Sequence, residues 1–246
     1  MKSYLVSILA MWSSVAFALE KPPLPTAYTN RNIEGWTIRI DDRLLKGDGL
    51  ALGEQALKLL DAKLIDIISV VPEKALAKLK AVTIELDFDY GGLKPMQYHN
   101  DAAWLKEKGY NENLVGCVHI PVASDFLSPF EIRRMPWVVL HELSHAYHDQ
   151  VLGYEEPRVK AAWKKFCASG KYESVLTSVG KKRGHYGLTN QMEFFAEMTE
   201  SYFGSNDFYP FVAGELKQAE PKIFALMAEI WGPLPESDVK PNYSKP

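Results

Sequence analysis

Residues 139–148, VLHELSHAYH, place two histidines four positions apart, with a glutamate directly after the first, inside an otherwise apolar run. Pro136 ahead of the run can start a helix and Gly153 behind it can stop one, so the spacing predicts a helix over 136–152. On such a helix His141 and His145 project about 40° apart and one turn along, so both imidazoles can reach one ion, a geometry that suits tetrahedral zinc. Glu142 lies on a different azimuth, where it can hold a water without ligating the metal. The competing reading is a core helix whose histidines bond backbone or water.

Around this stretch the period of the apolar residues changes along the chain. Residues 36–40 and 82–88 alternate with the period of two expected of half-buried strands, the second closed by Gly91 and Gly92, and a further strand is expected at 115–122. Between the first two, residues 53–71 carry Leu59, Leu60, Leu64, Ile67 and Ile68 at helical spacing. After 136 the pattern is helical: 158–168, 190–203 ending at Gly204, and 221–231. Strands early and helices late predict an α+β fold rather than an alternating parallel sheet.

The 246 residues, 47% hydrophobic, suffice for one core, and no internal repeat or composition break divides them. Residues 1–18 read as a secretory signal: Lys2, an apolar stretch shorter than the ~20 residues that span a bilayer, then small residues at Ala16 and Ala18. The mature chain is thus expected in a secreted or periplasmic setting with no stable membrane anchor. Residues 19–27 form a proline-rich lead-in, 28–231 the domain and 232–246 a polar, proline-rich tail. A formal charge of -3 provides no basic field, which argues against a nucleic-acid partner. Cys117 and Cys167 are the only cysteines; export permits a disulfide between them, and two reduced thiols fit equally well.

A catalytic zinc needs a third protein ligand. His148 is on the same face as the pair, but about 10 Å along the axis from His141. The extended pattern HExxHxxGxxH fails, because His148 stands at its glycine and Val151 at its third histidine. The ligand must come from another helix. In 190–203, Glu193 and Glu197 stack at i and i+4 among Phe194, Phe195, Ala196, Met198, Tyr202 and Phe203, too apolar a setting to bury carboxylates without partners. Glu193 can bind zinc while Glu197, one turn on, accepts the free N–H of His141 or His145. The alternative is that Glu193, Glu197 and Glu200 form the solvated face of an amphipathic helix.

HExxH followed on a later helix by such an E-x-x-x-E pair resembles the gluzincin metallopeptidases, and residues 193–197, EFFAE, are similar to the corresponding helix in the protease domain of anthrax lethal factor and its relatives. The resemblance covers about 136–203. It implies a zincin-like domain with a small mixed sheet in the N-terminal lobe and a helical C-terminal lobe. It also implies one zinc per chain on His141, His145 and Glu193, with Glu197 outside the ligand shell. A tyrosine seven residues before the ligand supports the transition state in those proteases, and here that position is Tyr186, whose phenol can donate to an oxyanion. His185 is a rival donor. In similar proteases an edge strand ahead of the zinc helix aligns the peptide, which would make an extended peptide along 115–122 the natural partner, and Pro121 suits an edge.

The expected activity is hydrolysis of a peptide bond by metal-activated water, with Glu142 as general base. The alternative is an exported zinc-containing module that binds a peptide or surface ligand without turnover.

Overall fold

The structure is a computed structural model and describes residues 23–234. The expected signal at 1–18 and most of the expected tail, 235–246, lie outside these residues. The two elements that begin the fold are β1 (Tyr28–Ile33) and β2 (Trp36–Asp41), an antiparallel pair turned by Glu34 and Gly35 at φ 52° and 95°. Both turn residues adopt positive φ, the backbone that matches the twist of a two-residue hairpin. β1 has four exposed residues in its centre, so it carries no alternating apolar signal and was not expected.

The chain continues through α1 (Leu50–Val70) and α2 (Glu73–Leu79) into β3 (Ile84–Leu86), then β4 (Gln97–Tyr98), α3 (Ala102–Glu107) and β5 (Val118–Ile120). The five strands lie in the order β1-β2-β3-β5-β4; β2, β3 and β5 run parallel, and β1 and β4 run antiparallel at the two edges. Val118 and His119 pair with Tyr98 and Gln97 on one side, while Ile84, Glu85 and Leu86 pair on the other. The strand expected at an edge is therefore internal, and the two-residue β4 takes the edge in its place. Nothing in the local pattern of so short a strand could announce it.

Helices fill the remainder: α4 (Ala123–Phe126), α5 (Pro129–Arg134), α6 (Val138–Tyr147) and α7 (Pro157–Ala168), then a small hairpin of β6 (Val175–Leu176) and β7 (Lys182–Arg183). α8 (Gln191–Phe203), α9 (Ala213–Ala219) and α10 (Pro221–Trp231) complete the fold. The result is α+β with a small mixed sheet, as the distribution of periods predicts. α6 begins two residues after Pro136 and runs on as a π-helical stretch, His148–Leu152, before Gly153 at φ 79° ends it.

α6 packs on β4, β5, α1 and α2 on one side and on α8 on the other, so the helix carrying both histidines is held at the centre of the molecule. Ile38, Ile40, Ile84, Leu86, Val118 and Ile120 face this core from the sheet, alternate residues along each strand. Phe194 and Phe195 of α8 are wholly buried, each contributing about 2–3 kcal/mol. Tyr147, Phe195 and Trp231 join α6, α8 and α10, with ring centroids 4.2 and 5.6 Å from Trp231. At the end of α8, a Cβ on Gly204 would stand 2.1 Å from the Trp137 ring, so only glycine lets α8 close against the start of α6. Among the described residues Cys117 and Cys167 are free thiols, and no helix is long and apolar enough to cross a membrane.

Candidate functional site

α6 and α8 bring His141, His145 and Glu193 together, with one potential ligand atom from each within 4.8 Å of the others. Glu193 Oε2 lies 3.1 Å from His141 Nε2 and 3.4 Å from His145 Nε2, and the two imidazoles meet edge to face. Asn190 caps α8 by accepting the backbone N–H groups of Met192 and Glu193 at 2.9 and 2.8 Å, which fixes the turn from which the Glu193 side chain leaves.

Burial opposes a charged His141, but its hydrogen bonds to Glu193 and Glu200 outweigh that and hold its pKa well above the ordinary range. Burial likewise favours a neutral Glu193, and here too it is outweighed: the two imidazoles hold this carboxyl well below the usual range. Three converging donors of this kind need one positive charge among them, which a proton or a divalent cation supplies. The donor set, two imidazoles and a carboxylate, fits a divalent transition-metal ion, and the residues that would hold it are these three.

The second nitrogen of His141 is oriented differently from expectation. Its Nδ1 lies 2.8 Å from Glu200 Oε1, whereas Glu197 Oε1 stands 3.9 Å away, so Glu200 rather than Glu197 accepts this N–H. Glu197 instead lies on the side of His185, with Oε2 3.8 Å from His185 Nδ1. The reason is helical phase: Glu193, Glu197 and Glu200 fall at i, i+4 and i+7 on one face, and the α6–α8 crossing decides which of the last two meets the ring. Both are buried, so the solvated-face alternative does not describe this helix. We expect Glu200→Gln to weaken metal binding about 10–100-fold and Glu197→Gln to weaken it less, measured by competition with a chromogenic chelator. The reverse order would return the orienting role to Glu197.

Glu142 is buried beside the triad, and its Oε2 accepts the backbone N–H of Tyr98 at 2.8 Å. Burial raises its pKa, with His145 and His141 pulling the other way. This bond ties the edge strand β4 to the motif helix, a link that no residue-type pattern announces. Asp207 also enters the same cleft; burial and then Glu200 push its pKa to about 7. It was not anticipated, because it sits in an irregular loop after α8.

Tyr186 lines the cleft with 43% of its surface exposed, and burial of the remainder, followed by the charge of Glu193, raises its pKa. His185 points the other way. It is enclosed by Phe166, Tyr172 and Phe208 and does not line the cleft, which removes it as a rival donor, while its Nδ1 accepts the Gly187 N–H at 3.0 Å. The cleft is also lined by basic side chains, Lys63, Lys94, Arg134, Lys181 and Arg183.

His148 is fully buried against Tyr154 and Phe195, away from the triad, and neither ring nitrogen has a partner. Burial lowers its pKa to about 4, against about 6.5 in an unfolded chain. The neutral ring's contribution is thus complete above pH 6.5 and is lost as pH falls toward 4, because the unfolded chain takes up a proton that the folded site refuses. At pH 5 the loss is about 2 kcal/mol. Relative to wild type, His148→Leu should therefore gain about that much in urea unfolding between pH 7.5 and pH 5. Parallel pH profiles for the two proteins would show that His148 does not titrate this way.

The cleft that receives these groups has a volume of about 920 Å³ and is walled by the loop into β4, by α5 and by the β6–β7 hairpin. Comparison of the chain with protein-family models, with curated proteins and with solved structures gives no match.

Proposed function

We propose that the protein is a zinc-dependent endopeptidase of zincin-like fold, exported after removal of residues 1–18. The observation that carries this reading is the convergence of His141, His145 and Glu193 beside a buried Glu142 in one wall of an open cleft. When bound, zinc supplies a Lewis acid that polarises a carbonyl and makes water a nucleophile near neutral pH.

The remaining chemistry belongs to the chain. Glu142, with its pKa raised by burial and one oxygen held by the Tyr98 N–H, is placed to take a proton from the attacking water and to deliver it to the leaving nitrogen. Tyr186, kept protonated by its raised pKa, can donate a hydrogen bond to the oxyanion. Glu200 holds the His141 ring in the tautomer whose Nε2 faces Glu193. Lys94, Pro95 and Met96, just ahead of β4, line the cleft, so an extended peptide would run along this edge rather than along 115–122.

The test is cleavage of a mixed peptide library by the purified chain, before and after chelation and with zinc restored. Internal cleavage that disappears with chelator and returns with zinc supports the endopeptidase. Tightly held zinc with an intact library points instead to the non-cutting binding module.

A further inference from the structure

The opposite face of the sheet carries a second set of converging donors. Glu85 alternates with Ile84 and Leu86 on β3, and His119 alternates with Val118 and Ile120 on β5, so both point away from the main core. Asp87 follows β3, and one potential ligand atom from each of Glu85, Asp87 and His119 lies within 4.8 Å of the others. All three are at most 1% exposed, beneath a lid whose small apolar cluster is Tyr90, Leu105 and Leu114.

Most charges here are already matched. Asp41 is paired with Arg43 and also accepts the Phe88 N–H. Glu85 is paired with Arg39 and accepts the Tyr28 hydroxyl at 3.0 Å. Asp87 is the exception. Its Oδ2 meets His119 Nε2 at 2.7 Å, and its Oδ1, wholly buried, has no hydrogen-bond partner. Three carboxylates against two guanidiniums leave the Asp87 charge with only the His119 imidazole beside it, in a dry setting where a carboxylate without a compensating charge is strongly disfavoured. The other nitrogen of His119 lies 3.1 Å from His99 Nε2, so a His119 ring that gives up its Nε2 proton can donate from Nδ1 to His99.

We propose that Glu85, Asp87 and His119 form a second divalent-cation site, oriented by His99, that fastens the 88–117 segment to the sheet. An imidazole among carboxylates selects a first-row ion such as zinc over calcium or magnesium. The site is independent of the peptidase reading. Its position has a consequence for the cleft, because the fastened segment carries β4 and the Tyr98 N–H that holds Glu142.

The test uses zinc itself. In the double variant His141→Ala/His145→Ala, which removes the first site, the chelated and zinc-reloaded chain should retain one zinc. Adding Asp87→Asn and His119→Gln should reduce it to none. X-ray absorption at the zinc edge of the double variant should show one imidazole with oxygen ligands at about 2.0–2.2 Å; this reading does not depend on the second pair of substitutions folding. A folded double variant that holds no zinc would overturn the proposal and leave a single proton as the occupant of Asp87. So would a retained zinc with thiolate ligands or with no imidazole. If wild type binds only one zinc and Asp87→Asn removes it while His145→Ala does not, this site stands and the His141 centre fails.

Discussion

Glu142→Gln should lower peptide hydrolysis by about 10²–10⁴-fold while leaving zinc content unchanged. Gln preserves the size of the side chain, and its carbonyl can still accept the Tyr98 N–H that Glu142 accepts at 2.8 Å, so the fold and β4 should stay in place. What it removes is a carboxylate that can take a proton. Burial, the largest influence on Glu142, raises its pKa toward the operating range of a general base. The acidic limb of kcat/KM against pH should report that titration, with activity rising as Glu142 loses its proton. The paired measurement is zinc by mass spectrometry and turnover on one sample. Near-normal activity in the variant would remove Glu142 as the base, and loss of zinc with activity would make it a ligand.

Glu193→Ala should abolish stoichiometric zinc at the first centre, weakening binding beyond the 10–100-fold expected when only an orienting partner is lost. Glu193 Oε2 is the atom that stands between the two imidazoles, 3.1 and 3.4 Å from their Nε2 atoms. Without it two histidines remain, fewer than the three protein ligands usual at a catalytic zinc. Because α8 buries Phe194, Phe195, Met198 and Tyr202, at about 2–3 kcal/mol for each large side chain, truncation of one partly exposed carboxylate should leave the helix docked. The measurement is zinc titration in the Asp87→Asn background, so that ions held elsewhere do not mask the loss. Unchanged zinc affinity would move the third ligand to another residue, with Glu197 and Glu200 nearest.

The motif helix with its paired histidines and the α8 helix with its Asn190 and Gly204 boundaries were legible from residue spacing, because each depends on a period within one segment, whereas the choice of Glu193 as the carboxylate that joins the histidines rested on the resemblance to gluzincins. β4 was not legible. Two residues carry no period, and Gln97 and Tyr98 form a strand only because β5 offers them a partner. The same limit explains the misplaced edge, since 115–122 looks alike whether one of its sides is paired or both are.

The exchange of Glu197 for Glu200 has a similar origin. A single helix shows that the three glutamates share a face, but their distances to His141 depend on the crossing of α6 and α8, which Gly204 sets by admitting the Trp137 ring. His185 was ambiguous for the same reason: between two glycines either neighbour can face the cleft, and the aromatic enclosure of Phe166, Tyr172 and Phe208 selects Tyr186. The buried group at Glu85, Asp87 and His119 lies on two segments remote in sequence and had no signature along the chain. Local chemistry and period are thus written in the order of residues: which helices form, where they end, and which donors recur one turn apart. Partner choice between segments follows from packing and strand pairing, interactions between residues remote in sequence, and these placed Glu200 on His141, β4 at the edge and Asp87 beside His119.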